Sequence, residues 1–169
     1  MTDCNMDAAL AEPIARMLNA LPNEWAITLR YRSGPVSIER AKQDLRALHA
    51  RIDRGHLGRH FNKAPVSSRS LYWAVAEDLH DNPHVHTAWI FPDRPHALAM
   101  LRFLGNDGWE GAYSPGGSHD VQVYDPSDNT YGRHGWATYA LKAMQTCNNV
   151  IISDTAQIAF ADRLRIHTS

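Results

Sequence analysis

Two strand-like runs joined by a very short polar link constrain this chain more than any other feature. Leu71 to Leu79 and His84 to Phe91 are both apolar and aromatic-rich, and only His80-Asp81-Asn82-Pro83 separates them. Such a link leaves no room for a crossover, so the pair predicts an antiparallel hairpin. The second run begins His84-Val85-His86. Strand side chains alternate between faces, so both imidazoles project from one side of a sheet, close enough to grip one metal ion.

Around the hairpin, Trp25 to Tyr31 alternates cleanly and puts Trp25, Ile27, Leu29 and Tyr31 on one face of a first strand. A helix opens at Ser37 and runs to about Arg54, with Ile38, Ala41, Leu45, Leu48 and Ile52 as its apolar stripe. Gly55 to Ser70 reads as a loop. Pro95 opens a second long helix, His96 to Leu104, followed by an irregular glycine-rich loop. His119 to Tyr124 reads as a fourth strand, Gly135 to about Thr146 as a helix, and Ile151-Ile152 as a strand that closes the sheet. A short helix over 7–20 and a final helix over 155–165 are additions to a core spanning about 25–146. This order predicts one α+β domain over 1–169, ferredoxin-like or RRM-like, with a central antiparallel sheet of about five strands and helices packed against it.

A chain of 169 residues suffices for one real core and is short for two. No apolar run approaches the roughly 20 residues of a membrane helix, and the start lacks the pattern of a signal peptide, so a soluble, cytoplasmic protein is expected. Two cysteines, Cys4 and Cys147, make neither a disulfide framework nor a metal knuckle. Net charge is −1, but Arg30 to Arg69 holds eight Arg and two Lys against Glu39, Asp44 and Asp53. Acids gather instead at Glu77 to Asp81 and Asp120 to Asp128. A basic segment beside an acidic one suits action on a phosphate backbone, although a solvated helix face explains the composition equally well.

Three ligands suffice for an ion that must leave positions open for phosphate oxygens, and Glu77, His84 and His86 supply that number. Two imidazoles and one carboxylate suit Mn²⁺ and tolerate Mg²⁺, Co²⁺ or Ni²⁺. Asp78 and His80 compete for the third position; parity favours Glu77, which shares a face with Trp73 and Val75. Two partly exposed strand histidines with backbone partners are the plain alternative. Downstream, Tyr139 and Lys142 stand three residues apart, about 4.5 Å along a helix and roughly 60° around it, so both can face one phosphate. About one tyrosine in a thousand is phenolate at neutral pH, a deficit of roughly 4 kcal/mol that a polarised phosphate and a nearby ammonium can offset.

An acid, a His-hydrophobic-His pair and a later Tyr-x-x-Lys, in that order, resemble the HUH endonucleases, and specifically their single-tyrosine rolling-circle replication initiators. Ala26-Ile27-Thr28-Leu29 resembles the hydrophobic-Thr-hydrophobic first strand of that family, Pro83-His84-Val85-His86 its histidine pair, and Tyr139-Ala140-Leu141-Lys142 its catalytic helix. The likeness covers about Trp25 to Thr146; Tyr131 is a second tyrosine, but no Lys follows it at the right spacing. The resemblance implies a divalent cofactor, Mn²⁺ or Mg²⁺, on Glu77, His84 and His86, with Tyr139 as nucleophile and Lys142 as its aid. The activity it implies is nicking and joining of single-stranded DNA or an origin hairpin through a 5′-phosphotyrosine link, with any helicase supplied in trans; plasmid, phage, transposon and host roles stay open.

Arg54, Arg59, Lys63 and Arg69 are then the expected phosphate contacts. Trp109 and Tyr113 are candidates to stack on bases, or else pins that hold a loop to the core. Rival readings are a non-catalytic single-stranded DNA or RNA module on the same fold, a phosphoesterase that uses water, and an HUH transposase-type strand transferase.

Overall fold

A computed structural model of the protein describes residues 24–32, 34–123 and 150–158. The elements run β1 (Glu24–Arg30), α1 (Ile38–Leu57), two single 3₁₀ turns (Phe61–Lys63 and Val66–Ser68), β2 (Leu71–Glu77), β3 (His84–Ile90), α2 (Arg94–Gly105), α3 (Gly108–Ala112), β4 (Ser118–Val123) and β5 (Val150–Ile152). A further helical turn begins at residue 154. The sheet has the order β4-β1-β3-β2-β5, and every pairing is antiparallel. β1-α1-β2-β3-α2-β4 with order 4-1-3-2 is the ferredoxin-like arrangement, and β5 extends it beside β2. This is the α+β fold that the sequence pattern predicts. The anticipated helices over 7–20 and Gly135 to Thr146 lie outside the described residues.

The helix-covered face is built by alternation. Ile27 and Leu29 of β1, Tyr72, Ala74 and Ala76 of β2, and Val85 and Trp89 of β3 are buried against Leu45, Leu48 and Ile52 of α1 and Met100 and Leu104 of α2. Burying each large apolar side chain contributes on the order of 1.5–3 kcal/mol, so this layer is the main source of stability. Trp89 carries a polar atom inside and satisfies it locally: its Nε1–H donates to Thr87 Oγ1 at 2.8 Å, and that hydroxyl donates to the Ile27 carbonyl at 2.7 Å.

Local signals set the helix bounds. Ser37 accepts from Arg40 N–H at 3.1 Å and starts α1, while Gly58, at φ 83°, ends it where a side chain would be strained. Asp93 caps α2 by accepting from His96 N–H at 2.8 Å, with Pro95 in the first turn, where no amide partner is missed. The glycine-rich stretch after α2 is less irregular than its composition suggests. It contains α3, held because Trp109 is wholly buried and donates from Nε1 to the Arg30 carbonyl at 2.9 Å.

β2 ends at Glu77, two residues earlier than its apolar pattern implies, because Asp78 turns into the left-handed region at φ 48°. Asn82 N–H then donates to the Asp78 carbonyl, and neighbouring segments fasten the loop through Val36 N–H to the Leu79 carbonyl and Tyr31 N–H to the Pro83 carbonyl. The residues that enter β3 are thereby fixed before the strand begins.

Candidate metal centre on the open sheet face

Register brings the histidine pair and the acid together. β2 and β3 pair with Glu77 opposite His84 and Val75 opposite His86, while β1 and β3 pair with Thr28 opposite His86 and Arg30 opposite His84. Val85 points into the helix-covered core and is fully buried, so His84 and His86 take the other face with Glu77. On that same face Trp73, Val75, Ala88 and Ile90 form a second, smaller buried cluster, an apolar floor adjoining the site.

The three side chains converge on one point. His84 Nε2 lies 3.5 Å and His86 Nε2 3.7 Å from Glu77 Oε2, and the two rings meet edge to face at 4.8 Å. One donor atom from each residue falls within 4.8 Å of the others, a spacing a single divalent ion can bridge. The far nitrogens are occupied. His84 Nδ1–H donates to the Asn82 carbonyl at 2.7 Å, and His86 Nδ1 lies 3.0 Å from Thr28 Oγ1. The Asn82 carbonyl can only accept, so His84 carries its proton on Nδ1 and turns its Nε2 lone pair toward Glu77; Thr28 gives His86 the same orientation when its hydroxyl accepts from Nδ1, the way outer hydrogen bonds set a metal-binding histidine. Burial lowers the pKa of His86, the charge of His84 lowers it further, Glu77 opposes, and Arg30 lowers it. The net effect favours the neutral, metal-ready ring. All three ligands keep partial exposure, between 17 and 31% of the side chain, so solvent and a substrate oxygen can reach the ion position.

Glu77 is therefore the third member of the group. Asp78 has left the strand in the turn, and His80 is exposed on the loop; neither joins the cluster. Two residues missed as site members lie beside it. Thr28 reads in sequence as the polar residue of an apolar first-strand motif, without a role at the site, and becomes a supporting group once β1 is paired with β3. Arg30 has the same parity as Thr28, faces His84 across the ladder, and is the cation that acts on His86.

The other expected contacts are arranged differently. Arg54, Arg59, Lys63 and Arg69 lie at the end of α1 and in the segment leading into β2. That is the opposite end of the sheet from Glu77, roughly 20 Å along a seven-residue strand. Arg54 and Arg69 hold their guanidinium groups over Phe61, at 5.5 and 5.7 Å, and Arg59 donates to His60 Nε2. Arg69 is mostly buried and paired with Asp53 at 3.2 Å, so its charge is committed inside the fold; Lys63 is exposed. Trp109 cannot stack on a base, because it is at 0% exposure beneath Tyr31 and Tyr113. Tyr113 is half-buried against Trp109 and Phe103. Both aromatics pin α3 to the core, the alternative weighed for them. Tyr139 and Lys142 lie outside the described residues.

Among the described residues no helix is long and apolar enough to cross a membrane. Comparison of the chain with protein-family models, curated proteins and solved structures finds no match.

Proposed function

We propose that this protein is a metal-dependent nickase and strand transferase of the HUH type, acting on single-stranded DNA through a covalent tyrosine intermediate. The observation that carries the reading is the convergence of His84, His86 and Glu77 on the open face of a ferredoxin-like sheet, with both Nδ1 atoms engaged behind them. The donor set fits a divalent ion of the Mn²⁺ or Mg²⁺ kind: neutral imidazoles, one carboxylate and room for outside oxygens. When bound, such an ion supplies Lewis acidity to a phosphate oxygen.

The chain's own groups do the remainder. Asn82 and Thr28 hold the two imidazoles in orientation, and Arg30, beside His84, offers positive charge to an adjoining phosphate. Tyr139 supplies the nucleophilic oxygen, which attacks phosphorus in line. The bond from phosphorus to the 3′-oxygen breaks, the leaving 3′-oxygen takes up a proton, and the 5′-phosphate stays on Tyr139. Lys142 stabilises the phenolate and the charge on the phosphate. The phosphotyrosine diester conserves the bond, so a 3′-hydroxyl can reverse the step and join strands.

The test is incubation of the full chain with end-labelled single-stranded oligonucleotides from its own genetic neighbourhood, in Mn²⁺ or EDTA, read on a denaturing gel. The expected product is a metal-dependent covalent adduct that is absent in Tyr139→Phe. Cleavage without an adduct would replace this reading with a phosphoesterase that uses water. Binding with neither product would replace it with a non-catalytic module.

A further inference from the structure

At the end of the sheet remote from the triad, α1 finishes where α2 begins, and three side chains from these helix ends meet. His56 comes from the last turn of α1, Asp93 is the N-cap of α2, and His96 lies in its first turn. One donor atom from each falls within 4.8 Å of the others. His56 Nε2 stands 3.4 Å from Asp93 Oδ2, and the two imidazole rings lie 4.5 Å apart.

Hydrogen bonding commits one atom of two of these groups and leaves the other open. Asp93 Oδ1 accepts the capping bond from His96 N–H, which leaves Oδ2 toward His56. His96 Nε2 lies 2.9 Å from Asp53 Oδ1. Asp53 Oδ1 also accepts from the Ser70 N–H at 3.1 Å and the Ser70 hydroxyl at 2.6 Å, and its Oδ2 accepts from Arg69 Nε at 3.2 Å. Asp53 is therefore an acceptor, and His96 Nε2 carries the proton. Its Nδ1 is then a bare lone pair on a ring at 0% exposure, with no hydrogen-bond partner among the described residues. The Asp53 bond accounts for Nε2, but the acceptor at the other end of this wholly buried ring is a position that hydrogen bonding among the described residues leaves unfilled. A buried carboxylate behind one imidazole nitrogen, with the other nitrogen open, is the arrangement that raises a metal-binding histidine's basicity and fixes its direction.

We infer that His56, Asp93 and His96 form a second metal site that binds a borderline transition ion of the Zn²⁺ or Co²⁺ class and ties the end of α1 to the start of α2. Two nitrogens and one carboxylate oxygen suit that class, and three protein ligands leave a position for water. Entry is from solvent, through the partly exposed His56 and Asp93 side chains. The site stands independently of the nickase reading, because it shares no residue with the triad.

The test is native mass spectrometry of the full chain, stripped with chelator and reloaded with Co²⁺ alone, supported by the visible absorption of bound Co²⁺. In a His84→Ala/His86→Ala background, which disables the triad, one ion should remain bound. Adding His56→Ala should weaken that ion at least tenfold, and adding Asp93→Asn instead should do the same while keeping the helix cap, since Asn caps as well as Asp. Thermal melts give a second readout: Co²⁺ should raise Tm in the double variant and leave it unmoved once His56 or Asp93 is changed. Absence of any ion in the double variant, or equal affinity after both further changes, would overturn the inference.

Discussion

The two histidine clusters stand at opposite ends of one sheet and are supported by different chemistry. At the triad the groups behind the imidazoles are neutral, the Asn82 carbonyl and the Thr28 hydroxyl, and the ligands ride on paired strands. At the helix ends the group behind His96 is the buried carboxylate of Asp53, itself held by Ser70 and Arg69. A neutral backing leaves an ion more of its own charge for a substrate oxygen, whereas a carboxylate backing strengthens the ligand and suits retention. The difference teaches that similar donor sets can be backed by different atoms one bond further out; on the readings proposed above, that backing would suit reaction at one end and cohesion at the other.

Stability should separate the two ends most sharply. Asp53→Ala strands His96, Ser70 and Arg69 together, and should cost about 3–5 kcal/mol in urea unfolding, as expected when one partner of a buried charged network is removed. Glu77→Ala, at a partly exposed position, should cost less than about 1 kcal/mol. Equal losses would erase the distinction.

Metal affinity comes next. Thr28→Val removes the group behind His86 and should weaken Mn²⁺ at the triad about 10–100-fold, roughly 1.4–2.7 kcal/mol, measured by electron paramagnetic resonance titration. Co²⁺ at the helix ends should be untouched by it; loss at both ends would mean that the two clusters are not separate.

Acid should act mainly through the buried network. His49 and His86 have pKa values lowered by burial, so the unfolded chain takes up their protons first and stability should start to fall below about pH 6.5. Asp53 has a folded value of about 2, below its ordinary 3.8, so its contribution is complete above that ordinary value and is lost as pH falls through the folded one. Urea midpoints measured from pH 7 to 2 should show both limbs, and Asp53→Asn should flatten the lower one. The smallest effect belongs to Arg30: because its charge lowers the pKa of His86, Arg30→Gln should raise the His86 midpoint in an NMR titration. An unmoved midpoint would remove Arg30 from the site.

The hairpin, the strand parity and the triad were legible because they depend on alternation and a short link, both local. Glu77 could be favoured over Asp78 by parity alone. Thr28 and Arg30 could not be assigned as neighbours of the histidines without the β1 to β3 register, which joins residues 58 positions apart. The basic run is spread more widely than composition suggests: Arg30 lies on β1 opposite His84, whereas Arg54 at the end of α1 and Arg59, Lys63 and Arg69 after it lie at the far end of the sheet. Trp109 was ambiguous because a tryptophan among glycines is as consistent with an exposed stacking platform as with an anchor; only its burial decides. His56, Asp93 and His96 went unread because their meeting depends on how the end of α1 packs against the start of α2.

β3 has paired neighbours on both sides, and its side chains alternate histidine, valine, histidine at the point where the site forms. A slip of one residue against β1 and β2 would carry both imidazoles into the helix-covered layer and expel Val85. Misregistered chains would therefore lack the converged donor set, so on the metal reading proposed above, uptake at Glu77, His84 and His86 would double as a proofreading signal. A refolding chain able to capture an ion there would already have aligned its three central strands.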